Sequence, residues 1–152
     1  MSMRDRINSA LKSAMKDKDQ LRVSTLRLVN AAIKEREIAL RGNDDGAELD
    51  GAGILQILSK MVKQREESAK AYDDAKRDDL ASRERAEIKV IREFMPKPLS
   101  DDDVAKAVAD AIKDVGADSI KDMGKVMGAL KSKYTGRMDF GKAGAAVKDA
   151  LA

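Results

Sequence analysis

An all-α fold is the expectation for this chain of 152 residues, and three observations carry it. Its apolar residues are Ala, Leu, Ile, Val and Met, with only two Phe, two Tyr and no Trp, a set suited to helix-on-helix packing. Only two prolines occur, so long helices are permitted. Apolar positions recur at helical spacing, while strand-like alternation persists nowhere. No sustained repeat or low-complexity tract is present. The length suits one domain or two small ones.

The first helix is marked by Ile7, Leu11 and Ala14/Met15. Asp19 is a cap for a second, long helix running to about Leu40, with Leu21, Leu28, Val29, Ala32 and Ile33 as its apolar positions. A polar break follows at Arg41-Gly42-Asn43-Asp44-Asp45-Gly46 and reads as a loop. It fails as a calcium loop, because Arg41 would occupy the first ligand position. Asp50 caps a third helix carrying Ile54, Leu58, Met61, Val62, Ala69 and Tyr72. After a break at Lys76-Arg77-Asp78-Asp79, Leu80, Ile88, Ile91 and Met95 mark a fourth. The second and third helices, each about 20 residues, would be about 30 Å long. Joined by short polar loops, they predict antiparallel hairpins in a bundle.

Both prolines lie in Met95-Pro96-Lys97-Pro98-Leu99-Ser100. Proline disfavours helix in the residue before it, so the fourth helix should stop near Phe94. Ser100 heads Asp101-Asp102-Asp103, an N-cap followed by acids where the helix dipole favours them. A fifth helix follows with Val104, Val108, Ile112 and Val115, stopped by Gly116. Ser119 is the expected cap of a sixth, with Met123, Val126/Met127 and Leu130. Gly136-Arg137-Met138-Asp139 is a turn, and Asp139 caps a last helix with Phe140, Val147 and Leu151. The predicted organisation is therefore an N-terminal four-helix hairpin domain over 1–95, a Pro-containing linker over 96–100, and a smaller three-helix domain over 101–152.

Two absences exclude whole classes of chemistry. Without Cys there is no disulfide, thiolate nucleophile or zinc ribbon. Without His there is no Ser-His-Asp triad, Cys-His pair or His-containing zinc motif. Adjacent carboxylates such as Glu66/Glu67 or Asp73/Asp74 diverge by about 100° on a helix and make no two-carboxylate site alone. No metal or cofactor is expected, and no catalytic residue is assigned. No apolar run is long enough to span a membrane. The N-terminal Met-Ser-Met-Arg-Asp-Arg has no signal-peptide core, so the expectation is a cytoplasmic protein.

The net charge of +3 and a pI near 9.0 hide a local pattern. From Leu99 to Ile120 six Asp face only Lys106 and Lys113. From there to Lys148, Lys121, Lys125, Lys131, Lys133, Arg137, Lys142 and Lys148 face only Asp122 and Asp139. Lys121 and Lys125, four apart, share a helical face, and Lys131, Lys133 and Arg137 crowd the next turn. Such a cluster binds phosphate by charge; the plain alternative is a solvated face. A second basic cluster, Arg4, Arg6, Lys12, Lys16, Lys18, Arg22 and Arg27, spreads over several faces and reads as solvated. Lys63-Gln64-Arg65-Glu66-Glu67 and Arg83-Glu84-Arg85-Ala86-Glu87 read as an exposed, ion-paired surface. Tyr134, beside the basic turn, is placed to stack on bases, whereas Tyr72 reads as core or rim.

Gly124-Lys125-Val126-Met127-Gly128 is no P-loop: Gly116 is too far upstream and Val126 stands where Ser or Thr is required. Two glycines four apart on a helix instead permit close approach of another backbone, either a neighbouring helix or a phosphate chain.

Several strings carry a family resemblance. Arg22-Val23-Ser24-Thr25-Leu26-Arg27-Leu28-Val29, Ala32-Ile33-Lys34 and Glu37-Ile38 resemble the opening of the GatB/YqeY proteins. So do Lys60-Met61-Val62-Lys63-Gln64-Arg65-Glu66-Glu67-Ser68-Ala69, then Tyr72, Ala75, Arg77, Asp79-Leu80 and Glu84. Glu87-Ile88-Lys89-Val90-Ile91, Phe94-Met95-Pro96, Leu99-Ser100 and Met123-Gly124-Lys125-Val126-Met127-Gly128 continue the match in order. The whole is similar to a free-standing YqeY-like protein. The resemblance implies an all-helical fold in two parts and kinship with the tail of the B subunit of tRNA-dependent amidotransferases. Those carbon–nitrogen ligases amidate mischarged tRNA with glutamine as amido donor. In them the tail grips tRNA, and the catalytic parts have no counterpart in this chain.

On that basis the expected RNA-binding residues are Gly124, Lys125 and Gly128, supported through charge by Lys121, Lys131, Lys133 and Arg137. The expected function is a tRNA-binding or tRNA-associated accessory module without its own catalytic centre. Its expected partners are tRNA and an aminoacyl-tRNA amidotransferase or synthetase, with no DNA and no membrane. The alternative is a helical protein-interaction module without RNA contact. A stand-alone amidase or carbon–nitrogen ligase is the third reading.

Overall fold

A computed structural model describes residues 1–40 and 48–152, and every regular element among them is helical. The stretch Arg41-Gly42-Asn43-Asp44-Asp45-Gly46, expected as a loop, lies outside the described residues. The chain separates into two compact units, Met1–Met95 and Pro96–Ala152.

The first unit holds α1 (Met3–Lys16), α2 (Gln20–Leu40), α3 (Gly51–Asp74) and α4 (Asp78–Arg92). Capping chemistry sets the helix starts. Ser2 Oγ accepts from Asp5 N at 3.1 Å while Ser2 N donates back to Asp5 Oδ2 at 3.4 Å, a capping box ahead of α1. Asp19 Oδ1 accepts from Arg22 N at 3.2 Å, and Asp50 Oδ1 from Gly53 N at 2.8 Å, so both expected aspartate caps are made. The α1–α2 and α3–α4 turns share one device. Lys18 (φ 57°) and Lys76 (φ 59°) are left-handed. The next amides, Asp19 N and Arg77 N, reach back to the carbonyls of Ala14 and Tyr72 at 3.0 and 2.8 Å, satisfying helix-end acceptors.

The core of this unit takes Ile7 from α1, Leu26, Val29 and Ile33 from α2, Ile54, Leu58, Met61 and Val62 from α3, and Val90, Ile91 and Phe94 from the end of the unit. One sequence expectation fails here: Leu28 is 48% exposed. Of the Ala14/Met15 alternative, Ala14 is buried and Met15 exposed. The buried line of α2 runs Leu26, Val29, Ile33, Glu37, and a residue one position off that line turns by about 100° toward solvent. On α1 the smaller Ala14 fills the buried position.

The charged stretches of α3 and α4 are ion-paired and mostly exposed, as expected, but Arg65 and Glu87 are drawn inward. Arg65 Nε donates to Glu87 Oε2 at 2.9 Å, with side chains only 14% and 11% exposed. Glu87 also receives Arg83 at 3.6 Å, and Arg65 Nη1 reaches the Met61 carbonyl at 3.2 Å. Glu37 is buried, with Arg4 Nη2 on Oε2 at 2.6 Å and the backbone amide of Leu49 on the same oxygen at 2.9 Å. Arg22 holds Glu93 at 2.5 Å, and Arg6 donates to the Glu93 carbonyl and lies over the Phe94 ring. So three members of the N-terminal basic cluster, Arg4, Arg6 and Arg22, bind their own fold.

The second unit holds α5 (Asp101–Val115), a one-turn 3₁₀ helix (Ile120–Asp122), α6 (Met123–Tyr134) and α7 (Phe140–Leu151). Ser100 Oγ accepts from Asp103 N at 3.2 Å, and Asp139 Oδ1 accepts from Gly141 N at 2.8 Å. Gly116, at φ 67°, ends α5 in the left-handed region, which glycine enters without a Cβ penalty. Ser119 makes no side-chain cap. The 3₁₀ turn intervenes, and Asp122 instead accepts from Asp118 N at 3.2 Å. The core is small-residue packing of Ala107, Val108 and Ala111 with Val126, Leu130, Ala143 and Val147.

Candidate nucleic-acid interface

Burial of Val126 and Leu130 orients α6. These two positions and the half-buried Met123, Met127 and Tyr134 lie on one side of the helix. By the 100° step per residue, Lys125 and Gly128 then fall on the opposite side, with Gly124 beside them and Lys131 at the edge of the packed side. All four are exposed. Lys121, in the preceding 3₁₀ turn, and Lys133 are exposed as well.

The glycines are the informative part. A Cβ built on Gly124 or on Gly128 meets nothing within 4 Å, so no neighbouring helix makes use of their smallness. Gly53 differs, because its Cβ would press on Leu49 Cδ2 at 2.9 Å. Glycine inside a helix is worse than alanine by about 0.5–1 kcal/mol. Gly128, inside α6, therefore carries a local destabilisation that packing among the described residues does not explain.

Among the described residues, no carboxylate lies within ion-pair distance of any cation in this unit; the pairs between described residues are all in Met1–Met95 and all use arginine. Lys125 does act on Asp122. Its charge is one of the lesser causes that hold the Asp122 carboxyl below the usual aspartate range, the largest being the hydrogen bond from the Asp118 backbone amide. Lys133 Nζ leans over the Tyr134 ring, 5.5 Å from its centroid. Tyr134 is half-buried against the core, so it sits under Lys133 and is no open stacking platform.

Arg137 is set apart from the lysines. It is half-buried, its Nε donates to the Lys97 carbonyl at 3.3 Å, and its own carbonyl accepts from Leu99 N at 2.8 Å. It fastens residues 97–99 to the turn after α6, a role that sequence alone did not suggest. Gly124, Lys125 and Gly128 thus share the outer side of α6, with Lys131 and Lys133 on its two flanks, Lys121 in the preceding 3₁₀ turn and Arg137 occupied in the fold.

A family model described as Yqey-like protein matches residues 4–151. The chain belongs to the YqeY-like family. This YqeY-like chain is 31% identical over 128 residues to the Saccharomyces cerevisiae protein called "Altered inheritance of mitochondria protein 41, mitochondrial", covering 81% of this chain and 67% of that one. Proteins of the same name from Meyerozyma guilliermondii and Lachancea thermotolerans are 41% and 36% identical over 85 residues. Each of those matches takes in 56% of this chain and under half of the relative.

Elsewhere the YqeY-like chain has a shallow cleft of about 390 Å³ between α3 and α4, lined by Glu66, Ala69, Lys70, Asp73, Arg85 and Ile88. Arg85 pairs with Asp73 across it, and Arg92 with Glu66 at 2.7 Å. Arg85 pulls the Asp73 carboxyl below its ordinary value chiefly through their hydrogen bond. Among the described residues no group of three or more His, Cys, Asp or Glu is arranged to hold a metal, and no helix is long and apolar enough to cross a membrane.

Proposed function

We propose that this YqeY-like chain is a tRNA-associated accessory module that contacts the sugar–phosphate backbone of RNA through α6 of its C-terminal unit. One observation carries the reading: Gly124 and Gly128 are exposed helix glycines against which nothing packs among the described residues, and they stand among lysines that no described carboxylate pairs. Backbone contact needs positive charge without base-specific groups. A helix flank without Cβ atoms lets a sugar–phosphate chain come close while Lys121, Lys125 and Lys131 meet its oxygens. The resemblance to the tail of amidotransferase B subunits supports tRNA as the RNA and an aminoacyl-tRNA amidotransferase or synthetase as the protein it works beside. In this reading the ligase chemistry belongs to that partner. The yeast relatives are named as mitochondrial proteins. Both cytoplasm and mitochondrial matrix hold aminoacyl-tRNA, so the reading does not depend on which compartment houses this chain.

The test is binding of the purified chain to bulk tRNA. Lys125→Glu should weaken binding with the helical circular-dichroism signal unchanged. Unchanged affinity with intact helicity removes α6 as the interface. A chain that binds tRNA no better than a charge-matched control protein leaves the interaction-module reading. The cleft beside Ala69 and Ile88 would then be the first surface to examine.

A further inference from the structure

Proteins grip unpaired bases with aromatic rings and arginine planes that stack on them, and with amides that bond their edges. The C-terminal unit holds none of these open. Residues 96–152 contain no Asn, Gln, His or Trp. The aromatic side chains of the unit, Tyr134 and Phe140, are half-buried and packed on its core. Its single arginine, Arg137, is half-buried and donates to the Lys97 carbonyl. What the unit exposes is lysine, and on two helices. The short turn after Tyr134 brings α7 back alongside α6 in the opposite direction. Gly144 of α7 faces α6, since a Cβ there would lie 3.7 Å from Met123 Cε and 3.8 Å from Met127 Cε. Lys148, one turn on from Gly144, shares its face. It therefore stands level with the start of α6, where Lys121 lies in the 3₁₀ turn. Lys148 is exposed and has no ion-pair partner among the described residues.

We infer that the face formed by α6 and α7 takes the backbone of base-paired RNA without regard to base sequence, and that Lys148 is one of its contacts. The inference rests on the RNA reading above and deepens it. A lysine is a hydrated point charge on a flexible stem; it meets phosphates and distinguishes no base. A single strand would find no platform for its bases here, and single-strand binders draw much of their affinity from such stacking. In a duplex the bases are already stacked and paired. The surface it presents is a regular array of phosphates and 2′-hydroxyls, recognised by shape. Lys121 and Lys131, ten residues apart, are separated by about 15 Å along the helix, so the face spans several phosphates. Lys148 widens it onto a second helix. Ser132, exposed on α6, adds a hydroxyl that suits a ribose 2′-OH or any base edge alike. Neighbouring acids do not close the face. Asp149 is turned about 100° from Lys148, and Asp122 accepts from the Asp118 amide. A tRNA is then held by its stems, and the choice of one tRNA over another falls to other surfaces.

Competition against labelled tRNA on the full chain tests this, with competitors matched in phosphate concentration at one salt. An RNA duplex of about 20 base pairs should displace tRNA at a concentration about tenfold below that of poly(U). The same competition on an oligolysine peptide gives the preference due to charge density alone, and the chain should exceed it. Two duplexes of unrelated sequence should compete within about twofold of each other. Lys148→Gln should keep the helical circular-dichroism signal and make the slope of log affinity against log salt shallower by about 0.9 for duplex. Poly(U) competing as well as duplex overturns the inference and leaves tRNA binding through α6 standing. A duplex preference no greater than that of oligolysine does the same, as does discrimination beyond about tenfold between the two duplexes. An unchanged slope in Lys148→Gln removes α7 from the face. If neutralising Lys121, Lys125, Lys131 and Lys133 together leaves tRNA affinity unchanged, the RNA reading itself fails and takes the inference with it.

Discussion

The N-terminal unit pairs seven of its arginines with carboxylates of its own fold, while among the described residues no lysine of the C-terminal unit has a carboxylate partner. In Met1–Met95, Arg4, Arg22, Arg65, Arg77, Arg83, Arg85 and Arg92 each pair with a carboxylate. In Pro96–Ala152, Lys121, Lys125, Lys131 and Lys133 pair with none among the described residues. The guanidinium is a planar fork suited to fixed, partly desolvated pairing, whereas a lysine is a hydrated point charge on a flexible stem. Lysines of the first unit such as Lys63 have no ion-pair partner among the described residues either, but they stand among acids, with Glu66 and Glu67 in the same stretch. What distinguishes α6 is that its free charge coincides with two glycines unused by the fold. Cation count alone therefore says little about where a ligand lands; the pairing state of each cation says more.

The largest effect that sharpens this contrast is in the first unit. Glu87→Ala leaves the half-buried Arg65 with only the Met61 carbonyl, which should cost about 2 kcal/mol and lower the thermal midpoint by about 10 °C. Lys125→Ala, by contrast, should stay within about 0.5 kcal/mol of the parent chain. Equal losses in the two variants would erase the difference between the units. Next in size is the pair of glycines. Gly124→Ala with Gly128→Ala should stabilise the C-terminal unit by about 0.5–1 kcal/mol in denaturant titration, chiefly through Gly128, and weaken tRNA binding at the same time. A gain in stability with binding intact would show that the open flank serves some other purpose.

The smallest effect is in the pH dependence. Asp73 has its carboxyl lowered by the hydrogen bond to Arg85, so its contribution to stability is complete above the ordinary value of 3.8 and fades as pH falls through the lower, folded value. Carboxyl NMR titration should place the Asp73 midpoint below 3.8 and return it toward that value in Arg85→Gln. A midpoint unmoved by that change would mean that the pair does not hold in solution.

Much of this was legible in the sequence because capping is local. Asp19, Asp50, Ser100 and Asp139 each announce a helix through one side-chain oxygen and an amide two or three residues on. Ser119 misled, because a 3₁₀ turn placed Asp122 between it and α6. The exposure of Leu28 escaped notice since α2 is apolar on more than one side, and its pattern alone does not say which line the bundle takes. Burial of Glu87 with Arg65 depends on how α3 and α4 pair, which a string of mixed charge does not reveal. On α6 the glycines and lysines were visible as candidates. That no helix packs on Gly124 and Gly128, and that Arg137 is tied to Lys97, needed the tertiary arrangement.

The most direct test is a salt series of tRNA affinity for the parent chain beside a variant with Lys121, Lys125, Lys131 and Lys133 all changed to Gln. If those lysines lie on phosphates, log affinity falls linearly with log salt, and the slope in the variant is shallower by about 3, near 0.7–0.9 for each lost contact. Parallel lines for the two chains would contradict the account and take the RNA contact away from α6.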